Sequence, residues 1–166
     1  YRVNHVRRWF MHHLTKRIGT NYSEPRIGDL NIHDIKKVLI VRPNHRLGNQ
    51  LLITPLVQEV LNTFPNCKID LFVKGGVANP VFENYGRINK IIQLPKKPFN
   101  NLFTYAKGWV SIKQTDYDLV INGDKNSSSG RLLTQIAKAK FKMFGDDYEE
   151  LKSECPNYEH ISKYPV

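Results

Sequence analysis

KKVLIVRPNHRLGNQLLITPLVQEVLNTF, residues 36–64, carries the pattern of a strand, a polar turn and a helix in succession. It opens with Val38-Leu39-Ile40-Val41, a short run of branched apolar residues of the kind that forms a strand buried on both faces. Arg42 and Pro43 lead into a polar turn, Asn44-His45-Arg46, which is closed by Leu47-Gly48-Asn49. Beyond Gly48 the apolar period becomes helical, with Leu51, Leu52, Pro55, Leu56, Val60 and Leu61 on one broad face. Asn49 is expected to cap this helix, because its side-chain oxygen can accept a bond from a first-turn amide. Pro55 removes a helical hydrogen bond and predicts a bend or a restart. Strand, glycine-bearing turn and helix together open a βαβ unit, and such turns hold ligands near free backbone amides.

The pattern repeats outward from this unit. Lys68–Val73 reads as a second strand, followed by Lys74-Gly75-Gly76, which is either an ordinary turn or a close backbone approach to a ligand with Lys74 as an anion contact. Asn79–Tyr85 predicts a short helix and Ile88–Leu94 a third strand. Phe99–Lys113 suits a helix with its aromatic residues on the sheet, and Tyr117–Ile121 a fourth strand. Ser127–Ser129 can cap a helix continuing over Arg131–Lys140, with Phe141–Phe144 as a fifth strand. This alternation predicts an α/β, Rossmann-like doubly wound parallel sheet with right-handed crossovers. A strand order 3-2-1-4-5 would set Asn44–Asn49 beside Asn122–Asn126, in the crevice where such sheets bind ligands. Asp124 is then within reach of a substrate, or is simply a turn-forming residue. His45 titrates in the useful range, or is an exposed bystander. Arg42 and Arg46 flank the turn and suit a phosphate or carboxylate, although Arg42 equally suits a carboxylate of a neighbouring loop.

Val38–Val73 also resembles the start of the ADP-heptose:lipopolysaccharide heptosyltransferases, glycosyltransferase family nine. The residues that carry the resemblance are Arg42, Gly48-Asn49, Thr54-Pro55 and Phe64-Pro65. It implies the first half of a B-type glycosyltransferase fold, the half that receives a glycan or lipid-linked sugar acceptor. The second half of such enzymes binds the sugar nucleotide, so no cofactor is expected here and a donor is expected only with a second domain. The implied reaction is inverting and metal-independent, in cell-envelope polysaccharide or lipopolysaccharide synthesis, with this chain inactive alone. Arg42, Arg46, Gly48 and Lys74 would then lie on the acceptor side. One departure matters. Asn49 stands where the family has the Asp taken as catalytic base, and a neutral amide does not accept a proton from a hydroxyl. His45 and Asp124 are the substitute bases within this reading. The alternative is a non-catalytic Rossmann-like binding or scaffold module.

The remaining sequence sets the surroundings of this domain. Residues 1–20 form a basic amphipathic zone: Val3, Val6, Phe10, Leu14 and Ile18 recur at helical spacing, and Arg2, Arg7, Arg8, Lys16 and Arg17 face no acid. That composition suits the surface of an anionic membrane, or a helix packed on the domain. Residues 21–35 read as a connector, 36–145 as the domain, and 146–166 as an irregular tail or the approach to a donor domain. Beginning at Tyr1 rather than Met, the chain reads as a fragment or processed form. The net charge of +10 raises a nucleic-acid reading, but the cations are dispersed and no stacking platform accompanies them. No Walker loop, GxGxxG or nucleophile elbow is present, so kinase, dehydrogenase and serine-hydrolase readings lack a motif. Cys67 and Cys155 have no metal-ligand spacing, and no metal is expected. No apolar run spans a bilayer; the expected location is cytoplasmic, peripheral on the inner face of the cytoplasmic membrane.

Overall fold

A computed structural model describes residues 31–95, 102–124 and 127–144. The amphipathic zone 1–20, most of the connector and the tail 146–166 lie outside the described residues. The elements run β1 (Lys37–Arg42), α1 (Leu47–Leu51), α2 (Thr54–Thr63), β2 (Lys68–Lys74), α3 (Asn79–Phe82), β3 (Ile88–Leu94), α4 (Leu102–Lys113), β4 (Asp116–Asn122), α5 (Ser128–Ile136) and β5 (Lys138–Met143). The five strands form one sheet in the order β3-β2-β1-β4-β5, and every pairing is parallel. This is the expected Rossmann-like α/β fold with β1 at its centre.

Burial explains why β1 is central. Val38 through Val41 are completely buried, and side chains alternate across the sheet with period two. Val38 and Ile40 join Ile53, Val57, Leu71 and Phe82 on one face, while Leu39 and Val41 join Phe72, Ile112 and Leu133 on the other. On the second face α4 lies close to the sheet: a Cβ at Gly108 would come within 2.9 Å of Leu94 Cδ2. Cys67 is a buried free thiol whose pKa burial pushes up, as suits a packing residue rather than a nucleophile.

Three local readings are refined by the structure. The helix after β1 does restart, with α1 ending at Leu51 and α2 beginning at Thr54. Pro55 sits in the first turn of α2, where a missing amide costs nothing, and Thr54 Oγ1 donates to Leu51 O at 2.8 Å across the break. Asn49 is not the cap. It lies inside α1, whose N-cap position is Arg46 without a side-chain bond. The side chain that organises the turn is Asn44, whose Oδ1 accepts from the Arg46 amide at 3.2 Å. Finally, the last helix stops at Ile136 instead of reaching Lys140, and β5 begins at Lys138. Ala137 turns to an extended ψ of 138°, and Lys138 and Ala139 then pair with Asp116 and Tyr117 of β4. A ladder along β4 outweighs the helix propensity of alternating Ala and Lys.

At the amino edge of the sheet one carboxylate ties three strands together. Asp118 Oδ2 accepts from the Lys36 and Lys37 amides at 2.9 and 3.0 Å, and Oδ1 lies 3.0 Å from Lys140 Nζ. Burial pushes the Asp118 pKa up, but the Lys140 and backbone hydrogen bonds outweigh it and hold the carboxyl below its usual value. A depressed folded-state pKa contributes stability that is full above the unfolded value and lost as pH falls through the folded one. Asp118→Asn is therefore expected to flatten the acid limb of stability measured by urea denaturation from neutral to acid pH. An acid limb as steep as that of the parent chain would contradict this assignment.

Candidate functional site

The chain reverses its winding direction between β1 and β4, and the loops leaving the carboxyl ends of β1, β2 and β4 meet there. After β4, the Gly123 amide donates to Val41 O at 2.9 Å, continuing the ladder one residue past the strand. Arg42 ends β1 only 6% exposed and donates through Nη1 to Gly123 O. Its burial lowers the guanidinium pKa, while neighbouring Asp124 acts in the opposite direction. Arg42 thus clasps the first loop to the fourth through the Gly123 carbonyl, with the Asp124 carboxylate nearby.

Within the first loop, the Asn44 amide donates to Arg42 O at 2.7 Å. Asn44 O in turn accepts from Gln50 Nε2 at 2.5 Å and from the Lys74 amide at 3.4 Å. The second loop is therefore bound to the first through the backbone of Lys74. Gly75 has a φ of 78°, a conformation that favours glycine, so the Lys74-Gly75-Gly76 stretch is a tight turn; the Gly75 amide donates to Leu94 O at 2.8 Å. In the fourth loop, Asn122 is 2% exposed; its Oδ1 accepts from the Asp124 amide at 3.2 Å and its Nδ2 donates to Phe144 O at 3.1 Å.

The sequence-predicted residues are thus distributed on one end of the sheet. Arg42, Lys74 and Asp124 end or follow three different strands, and the first loop links them. His45, Arg46 and Gly48 are exposed on the rim, Asn49 is half-buried, and a Cβ at Gly48 would meet nothing within 4 Å. The rim is exposed and carries Leu47 beside its polar residues; the floor is buried. Two polar atoms of that floor, Arg42 Nε and Gln50 Oε1, are buried without a hydrogen-bond partner among the described residues. A buried group left unpaired costs on the order of 1–3 kcal/mol, so these two atoms favour a water or ligand partner. Among the described residues, no group of three His, Cys, Asp or Glu is arranged to hold a metal ion.

Sequence reasoning missed Gln50, Asn44 and Asn122 as organisers of the site. Gln50 is fully buried next to apolar Leu51 and Leu52, and a lone amide on a helix turned toward a core is a usable signal. Nothing local marks Asn122, whose Phe144 partner is 22 residues away.

Sheet order, winding reversal and loop cluster define a Rossmann-like α/β domain with its switch point between β1 and β4. No family model matches the sequence, and no curated protein does either. Solved structures do share the fold. Escherichia coli heptosyltransferase WaaC with ADP is similar at 23% identity and a TM-score of 0.50, covering 62% of this chain and 32% of its own. The same enzyme with ADP-2-deoxy-2-fluoro heptose gives 22% identity and 0.50, covering 62% and 34%. A family-nine glycosyltransferase from Veillonella parvula gives 18% identity and a TM-score of 0.46, covering 63% and 30%. The chain spans about a third of the length of these structures.

Proposed function

We propose that this chain is the acceptor-side domain of an inverting, metal-independent glycosyltransferase of cell-envelope polysaccharide or lipopolysaccharide synthesis. The observation that carries the reading is the crevice at the carboxyl ends of β1 and β4. There the Arg42–Asn49 turn, Lys74 and Gly123-Asp124 are joined by direct hydrogen bonds. An exposed rim bearing His45, Arg46 and Leu47 over a hydrogen-bonded floor suits a hydroxylated acceptor, with Arg46 and Lys74 as charge partners for phosphate or carboxylate on it. The likeness to heptosyltransferase structures supports the same reading, as does the Arg42, Gly48-Asn49, Thr54-Pro55 and Phe64-Pro65 pattern. In such a reaction a base takes the acceptor proton while a second domain holds the sugar nucleotide and stabilises the leaving diphosphate.

The chain by itself is expected to transfer no sugar, because the donor contacts belong to that second domain. The test compares turnover of the 166-residue chain with that of a polypeptide joining it to a family-nine donor domain. Turnover only in the joined polypeptide is the expected result. Transfer by the chain alone, or none by a folded joined polypeptide across a panel of sugar nucleotides and core oligosaccharides, would contradict the proposal. Asn49 in place of a carboxylate favours one second reading, a non-catalytic domain that binds the acceptor without activating it. Peripheral attachment to an anionic membrane through residues 1–20 belongs to the same proposal. Undiminished sedimentation with anionic vesicles after their removal would contradict that attachment.

A further inference from the structure

Helix α4 carries an outward face that the fold does not use. Its inner face is spent on the sheet: Ile112 is fully buried, and Trp109 stacks edge-on to Phe72 with ring centroids 6.4 Å apart. On the outside, Phe103 is 80% exposed and Val110 49% exposed, and Ala106 between them is exposed as well. These positions follow one another at helical spacing and form a single stripe. Lys107 and Lys113 are exposed alongside it, and the helix contains no acidic residue. One exposed apolar side chain is ordinary on a protein surface; an aromatic and two aliphatic residues in line, on a helix whose charged residues are all cations, are not.

We infer that the outer face of α4 is a contact surface for an anionic lipid bilayer, with Phe103 and Val110 entering the headgroup boundary and Lys107 and Lys113 meeting acidic headgroups. Charge selects this occupant over the others. A second copy of the same face would set lysine against lysine, and residues 1–20 bring five more cations with no acid. The face is also a convex helix surface, which a fluid interface accommodates by flowing around the inserted side chains. An apolar stripe bordered by lysines at this spacing is the arrangement of an interfacial helix, here presented by a folded domain instead of a free peptide.

The test is co-sedimentation of the intact chain with vesicles of phosphatidylcholine alone or with a third phosphatidylglycerol. Binding to the acidic vesicles only, weakened by salt, is expected. The double replacement Phe103→Ser with Val110→Ser is expected to reduce partitioning by about tenfold or more. Lys107→Glu with Lys113→Glu is expected to do the same through charge, with unchanged circular dichroism in both variants. Because both pairs lie outside the crevice and outside residues 1–20, the result is separable from acceptor binding and from the amino-terminal zone. Three results would overturn the proposal. They are partitioning that survives both double replacements, equal binding to neutral vesicles, and a parent chain that is dimeric in solution and becomes monomeric on Phe103→Ser.

Discussion

Replacing the group that takes the acceptor proton with alanine, His45 or Asp124, is expected to lower turnover of the joined polypeptide by ~10²–10⁴-fold, the usual range for general-base assistance. The expectation follows from Asn49. An amide can orient a hydroxyl but cannot accept its proton, and Asn49 stands half-buried in the first turn of α1, at the same end of the sheet as His45 and Asp124. His45 is exposed two residues before the start of that helix, and Asp124 follows the Gly123 carbonyl that Arg42 grips. If either one is the base, Asn49→Asp adds little, because the proton already has an acceptor. If neither is, Asn49→Asp raises a very low activity, and the non-catalytic reading gains. Turnover of His45→Ala, Asp124→Ala and Asn49→Asp, each checked for folding by circular dichroism, separates the cases. Full activity in both alanine variants would refute the substitute-base account.

The largest stability effect is expected at Asp70. This carboxylate is 4% exposed in β2 and accepts from the Tyr117 hydroxyl at 2.9 Å and from Asn89 Nδ2 at 2.8 Å, linking β2 to β4 across the central strand. Burial, and then the Asp70 charge and hydrogen bond, push the Tyr117 phenol well above its ordinary value, so it remains a protonated donor through neutral and moderately alkaline pH. Asp70→Ala strands two donors, one of them on a residue only 3% exposed, and should cost about 2–4 kcal/mol in urea denaturation. Asp70→Leu combined with Tyr117→Phe should recover much of that loss, because it leaves neither partner unpaired on the β4 side. A cost for Asp70→Ala below about 0.5 kcal/mol, the range of an ordinary surface change, would show that the pair does not brace the sheet.

Much of the architecture was legible because it rests on local periodicity. Val38–Val41 reads as a doubly buried strand and is one, and Ile88–Leu94 has the bounds its composition predicts. Proline chemistry at Pro55 correctly marks a helix restart. The errors arise where other parts of the chain override local preference. Lys138-Ala139-Lys140 is made of good helix formers, and only pairing with Asp116 and Tyr117, more than twenty residues earlier, turns it into strand. Asn49 has capping chemistry, but it falls inside α1, and the side chain that organises the preceding turn is Asn44. The crevice was legible as a place, since strand order alone puts the β1 and β4 loops together. Its floor was not. Which polar groups close it depends on long-range partners such as Arg42 with Gly123, 81 residues apart, and sequence spacing carries no trace of them.

Binding of a sugar acceptor between the β1 and β4 loops is read from amide chemical shifts of the isotopically labelled chain during titration with lipopolysaccharide core oligosaccharide. Saturable shifts are expected at Asn44–Gln50, Lys74–Gly75 and Gly123–Asp124, with the amino-edge residues Lys36, Lys37 and Asp118 unmoved. Shifts centred on the amino edge, or none at all at oligosaccharide concentrations that saturate family enzymes, would contradict it.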